Sequence, residues 1–297
     1  MQIIQNYYDM RGKMLLFEVL SCFMFCVGYA QVGIPEKPLS RLEDYQLRGK
    51  VKTYKLTPYH VLDSFGIIKK TSKPEFWKGD ILSTFDDRGY KVESNMYNKH
   101  GNLQNKIIYK YNDKNKRLSR DVYGERGYIK NKYVYIYDEK GHKTAYHCYN
   151  SRGELVESWL YNNDDRGREV EVVYQVPKRS SETRKFLYKY DKSGNVEELS
   201  KYSKDDVPEV TWKYIYDKKS LVTELHTYKD NKLFRKRVTK YDAYGNPTQM
   251  REYDNDGRFI EETDYEYQFD AYGNWIQRID YVNSFPKLMY EREIVYY

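Results

Sequence analysis

Along residues 79–297, apolar and polar positions alternate in runs of about eight, and short polar clusters containing Asp, Asn and Gly cut the runs. Alternation with a period of two predicts strands that carry different chemistry on their two faces. An Asp-x-x-Gly cluster between two such runs predicts a turn: the Asp carboxylate can accept a backbone N–H two residues on, and Gly tolerates positive φ. These turns recur. Asp86, Asn112, Asp138, Asp164, Asp191, Asp217, Asp242 and Asp270 follow one another at 25 to 28 residues. Three residues after each comes Gly89, Asn115, Gly141, Gly167, Gly194, Ser220, Gly245 or Gly273. Eleven residues after each comes Tyr97, Tyr123, Tyr149, Gln175, Tyr202, Tyr228, Tyr253 or Tyr281. One unit is therefore one β-hairpin.

The strand before each Asp has one aromatic face. Five residues back stand Ile81, Ile107, Tyr133, Trp159, Phe186, Trp212, Arg237 and Tyr265; three back, Ser83, Tyr109, Tyr135, Tyr161, Tyr188, Tyr214, Thr239 and Tyr267; one back, Phe85, Tyr111, Tyr137, Asn163, Tyr190, Tyr216, Tyr241 and Phe269. Strand residues two apart share a face, so these form three ladders. Rings carry the largest apolar area to bury, which favours a core over a ligand platform. The other face carries Leu82, Ile108, Val134 and Leu187, flanked by Lys106, Lys110, Lys132, Lys185 and Lys189. The expected fold is all-β: an antiparallel meander of about eight hairpins, each of about 26 residues, coiled into a spiral or open curved sheet because strands twist. Within residues 31–78, Val51 to Leu56 read as a candidate strand, and the rest, broken by Pro35, Pro38, Pro58 and Pro74, reads as an irregular lead-in that caps the first hairpin.

Composition agrees with strands. There are 35 Tyr, while Ala occurs only at positions 30, 145, 243 and 271. A formal net charge of +7, with both signs interspersed, builds no single-sign field and gives no reason to expect a nucleic-acid partner. Arg11 and Lys13 precede the apolar run Met14 to Ala30, and Gly28 and Ala30 occupy small-residue positions. That is the pattern of a secretory signal peptide over residues 1–30, cleaved before Gln31. The run is short for a membrane span, so none is expected after cleavage. Cleavage leaves Cys148 as the lone cysteine, and stability must come from packing and strand pairing. A lipid-facing barrel is disfavoured because Glu93, Glu171, Glu198 and Glu224 lie on one face of the short strands and Arg120, Lys201 and Arg278 on the other.

The strings YDKSGNVEELSKY at 190–202, YDAYGNPTQMREYDNDGR at 241–258 and FDAYGNWIQRIDY at 269–281 resemble the YD repeats of the RHS family. The resemblance covers about residues 79–297 and is weaker where Asn115 and Ser220 replace Gly. It implies β-hairpins winding into a spiral sheet or shell, a bacterial source, and a link to cell-surface contact, carbohydrate binding and toxin delivery. The chain lacks the family's Asp-Pro-x-Gly core motif.

No Ser/His/Asp set, nucleotide loop or metal spacing stands out, so neither an enzyme nor a cofactor or metal is expected. The Asp column could be read as a cation ladder, but turn capping accounts for every member. The expected function is a non-enzymatic cell-envelope or secreted binding or structural module for a glycan or surface, located in the periplasm, on the outer surface or outside the cell. The alternative is an immunity or partner protein for a secreted RHS-type toxin. Repeat length varies only in the arm after the conserved Tyr, so the second turns are the candidate partner edge: His100, Arg126, Lys178, Arg179 and Lys204. Trp159 and Trp212 are the candidates on the aromatic face.

Overall fold

A computed structural model describes residues 41–74, 81–177, 179, 183–203 and 206–297. The signal-peptide reading lies outside the described residues. Among the described residues, a 3-10 turn, Leu42–Tyr45, precedes nineteen strands. They are β1 (Val51–Ser64), β2 (Ile67–Lys70), β3 (Ile81–Phe85), β4 (Lys91–Tyr97), β5 (Leu103–Tyr111), β6 (Arg117–Gly124), β7 (Ile129–Tyr137), β8 (Lys143–Asn150), β9 (Leu155–Asn163) and β10 (Glu169–Gln175). The chain continues through β11 (Arg184–Tyr190), β12 (Val196–Tyr202), β13 (Pro208–Tyr216), β14 (Val222–Lys229), β15 (Lys232–Tyr241), β16 (Pro247–Tyr253), β17 (Phe259–Phe269), β18 (Trp275–Val282) and β19 (Phe285–Tyr296).

From β3 to β19 every strand pairs antiparallel with the next, as a hairpin repeat requires. The sheet does not stay open. β1 lies between the two ends of the meander: Thr53–Leu56 pair with Thr84–Ile81 of β3, and Val51–His60 pair with Tyr296–Leu288 of β19. The expectation of a spiral or open curved sheet is therefore wrong. The molecule is a closed antiparallel barrel of 18 strands, with β2 as a short extra strand on the far end of β1. The physical reason is the edge. An open meander would present unpaired N–H and C=O groups along its first and last strands, and one strand from the lead-in satisfies both rows. Pro58 stands inside β1, beyond the end of its ladder with β3, where its missing N–H removes no bond to that strand.

The turns use the predicted chemistry. In the Asp242 turn, the Asp242 N–H donates to the Asn246 carbonyl and the Gly245 N–H to the Asp242 carbonyl. The Asp242 carboxylate Oδ1 accepts the N–H groups of Tyr244 and Asn246. Gly245 has φ +87°, and a bulge interrupts the ladder where Lys240 and Tyr241 pair with Gln249 and Pro247. The same pattern of bonds recurs at Asp164, Asp217 and Asp270. These bonds occupy Oδ1, which supports turn capping over a cation ladder. The backbone N–H of His142 and that of Arg168 hold the carboxyls of Asp138 and Asp164 below the usual range.

Candidate functional site: the inner wall of the barrel

Among the described residues, substantial contacts run only between neighbouring strands, and no second layer of strands or helices covers either face of the sheet. Curvature then decides burial: side chains on the concave face converge. The aromatic ladders are on that face. Tyr109, Tyr133, Tyr135, Tyr161 and Phe186 are buried, whereas Ile136, Leu160 and Ile215 of the opposite face are exposed. The outer face carries ion pairs instead. Glu93 meets Lys106 at 2.8 Å, Glu198 meets Lys189 at 2.7 Å and Lys213 at 3.5 Å, and Glu224 meets Lys236 at 2.8 Å.

The phenols of the ladder next to the Asp turns have a role that their spacing does not reveal. The hydroxyls of Tyr111, Tyr137, Tyr190 and Tyr216 donate to the carbonyls of Lys91, Arg117, Glu169 and Val196, each at the start of the previous hairpin's return strand. Tyr241 continues the row to Val222. Where Asn163 replaces Tyr, its amide donates to the Lys143 carbonyl instead. Phe269 has no hydroxyl, and Tyr267 reaches Pro247. Tyr297 closes the row on Phe85. Each bond ties one hairpin to the next just where the bulge interrupts the regular ladder. Burial pushes the phenols of Tyr137, Tyr190, Tyr216 and Tyr267 up to about 12.

Return strands add cations to this wall. The Arg117 guanidinium sits 4.9 Å from the Tyr109 ring centre and 5.7 Å from that of Tyr135. Lys143 lies over Tyr161 at 3.8 Å and Arg120 over Tyr133 at 4.0 Å. Between β15 and β18 the cations meet carboxylates. Glu252 accepts from Arg235 Nη1 at 2.9 Å and from Arg237 Nη2 at 3.1 Å. Asp280 takes both Nε and Nη2 of Arg278, at 2.7 and 3.0 Å. Sequence reasoning missed this network. Counting forward from each Asp would have found it, since Arg120 and Arg278 are eighth, and Glu252 and Asp280 tenth, in that count.

The two tryptophans proposed from the sequence are both on the inner wall and half-buried. Trp159 packs against Tyr174 and Phe186 with ring centres 4.8 and 5.8 Å apart. Trp212 lies between Leu199 and Thr227 of the adjacent strands. His100, Arg126 and Arg179 are exposed in the turns at the opposite rim, apart from the tryptophans in the fold. Lys178 and Lys204 lie outside the described residues.

The lead-in crosses the rim formed by the Asp turns. The Leu42 N–H donates to the Gly89 carbonyl at 3.0 Å, and the Tyr45 ring packs on Tyr54 and Phe85. Further on, the Arg48 N–H donates to Asn274 Oδ1 at 2.7 Å, and Asn274 Nδ2 donates back to the Arg48 carbonyl. A cavity of about 240 Å³ remains beneath it, lined by Arg48, Tyr244, Asn246 and Trp275 among others.

No family model matches the chain, and no curated protein matches it. Among solved structures it is similar to a porin-like protein from Bacteroides uniformis, at 12% identity and a TM-score of 0.42, over 82% of this chain and 96% of that one. A porin-like protein from Bacteroides vulgatus gives 9% identity and a TM-score of 0.36, over 84% and 99%. The TcdB2-TccC3 structure gives 13% identity and a TM-score of 0.31, and this chain spans only 15% of that one. No helix among the described residues is long and apolar enough to cross a membrane.

Proposed function

We propose that the protein is an exported, non-enzymatic binding or structural module of the bacterial cell envelope, a YD-repeat barrel whose outer face meets water and whose inner wall holds a glycan-like ligand. The observation that carries this reading is the inversion of the two faces. A lipid-embedded barrel needs a continuous apolar band outside. Here the outside carries the ion pairs of Glu93, Glu198 and Glu224, and the rings are inside. On β13–β17 the inner rings are only half-buried, so Trp212, Tyr214 and Tyr265 retain accessible surface beside Arg237 and Glu252. Apolar walls with a few placed polar groups are the general form of a ligand site. Export rests on the signal-like segment ending at Ala30, and the family assignment on the motifs at 190–202 and 241–281.

The mature chain is expected to remain in aqueous solution without detergent and to bind neutral oligosaccharides by titration calorimetry. Trp212→Ala should weaken that binding about tenfold, the loss of roughly one aromatic contact. Partition into detergent together with conductance in planar bilayers would overturn the water-facing reading.

A further inference from the structure

Arg292 lies on the inner face of β19 and is buried, with 7% of its surface exposed. Its guanidinium stacks on the Trp275 indole at 3.5 Å and faces the Tyr54 ring at 5.5 Å. Stacking occupies the flat faces of a guanidinium and leaves the N–H groups along its edge to be satisfied in the plane. Nε and Nη1 of Arg292 are buried and find no acceptor among the described residues. The neighbouring cation, Arg278, reaches toward the same indole at 5.7 Å, but Asp280 already holds it in a two-bond pair. Asp280 is the carboxylate of Arg278, and no ion pair among the described residues reaches Arg292. A buried charge without a counter-charge is costly, so such a group marks the place for a partner. Trp275 also lines the cavity beneath the lead-in, which places that space next to the indole on which Arg292 lies.

We propose that Arg292 is the anchor of an anion site on the inner wall, taking a carboxylate, phosphate or sulfate group in the plane of its guanidinium while Trp275 and Tyr54 hold that plane. The proposal deepens the lumen-binding reading and rests on it: beside the surface for neutral sugar, the wall takes an acidic group, carried by either a free oxyanion or an acidic saccharide. Arg pairs with such groups through two parallel N–H bonds, which a lysine cannot reproduce.

Titration calorimetry on the mature chain tests this with three probes: inorganic sulfate at low millimolar concentration, a hexuronate oligosaccharide and a neutral oligosaccharide. Sulfate and hexuronate should both bind if the site takes the group alone, and hexuronate only if it needs the sugar as well. Arg292→Met should weaken binding of the acidic probe at least tenfold and leave the neutral one within twofold. Arg292→Lys keeps the charge and should also weaken it, which covers the case in which the Met variant does not fold. Lys240→Met, on the outer face, should change nothing. Acidic binding that survives both Arg292 variants within twofold overturns the proposal. A wild-type chain that binds only the neutral probe removes the anion site but leaves the lumen reading standing, and one that binds no probe removes both.

Discussion

The wall from β5 to β12 and the wall from β13 to β17 are built from the same repeat and pack differently. The first buries Ile107, Tyr109, Tyr133, Tyr135, Tyr146, Cys148, Tyr161, Val172, Tyr174, Phe186 and Leu199. In the second, no apolar side chain is fully buried; its buried residues are Gly245, Asn246, Glu252 and Thr263. Strand pairing and the geometry of the Asp turns recur in both, so neither explains the difference. The inner columns do. Ten residues after the turn residue, opposite the outermost ring column, the first wall's return strands supply Val122, Cys148, Tyr174 and Lys201 and the second wall's supply Thr227 and Glu252, while Arg237 and Thr239 stand in the second wall's ring columns themselves. Hairpin repetition thus secures the barrel, and the residues between the fixed turn positions decide whether a stretch of wall becomes core or accessible surface. The second wall is the one that the proposed ligand would use, in keeping with binding regions being drawn from the less stable parts of a fold.

The largest effect expected is at high pH, where both walls depend on the same phenols. Tyr133 in the first wall and Tyr216 in the second are both pushed up to about 12, chiefly by burial. Unfolded phenols ionise near 10. A folded value above the unfolded one means stability that is complete below about pH 10 and lost as pH rises toward about 12. The ladder hydroxyls must also stay protonated to donate to their carbonyls. Phenolate absorbance should therefore rise together with the loss of β-sheet circular dichroism. A gradual rise that precedes unfolding would show that the second wall opens first, and would sharpen the contrast between the two.

A core substitution probes the contrast directly. Phe186 and Trp212 occupy the same repeat position, five residues before the turn Asp, in the two walls. Phe186 is fully buried and should cost about 3–5 kcal/mol as Phe186→Ala, the range for deleting a buried ring. Trp212 is larger but half-buried, and Trp212→Ala should cost about 1–2 kcal/mol, since less apolar area returns to water. Chemical denaturation of both variants measures this. Equal losses would mean that the second wall is core as well, and the case for an accessible inner face would fail.

Much of this was legible in the residues. The turns are at the spacing that Asp and Gly announced, and the three aromatic columns share one face. Closure was not legible, because β1 carries no Asp-x-x-Gly signal and Pro58 argues locally against a strand; only the pairing of both its sides accounts for it. The Tyr hydroxyl bonds were hidden for a different reason. A column of Tyr reads as apolar area, and the acceptor is a backbone carbonyl 20 residues away, which leaves no mark on side-chain identity. The arginines of the inner wall were visible as charges, but a charge on a strand signals solvent until curvature makes that face concave. His100 and Arg126 are exposed at a rim, as turn residues would be, and Trp159 and Trp212 lie inside, so the sequence candidates do not form one site.

The smallest effect expected concerns the two turns of the recurring Asp column that depart from Gly, one in each wall. Asn115 joins β5 to β6 with φ 58°, and Ser220 joins β13 to β14 with φ 61°. Both N–H groups close the turn as Gly would, donating to Asn112 and Asp217. A left-handed conformation costs an ordinary L-residue about 1–2 kcal/mol, and Asn less than Ser because its side chain can bond locally. Ser220→Gly removes that strain but widens the unfolded ensemble, which offsets part of the gain. The net should be a stabilisation of about 0.5–1 kcal/mol for Ser220→Gly, and close to zero for Asn115→Gly. Thermal melting resolves the difference. If Asn115→Gly gains as much as Ser220→Gly, residue type at this turn position does not matter, and the two walls would differ in their inner columns alone.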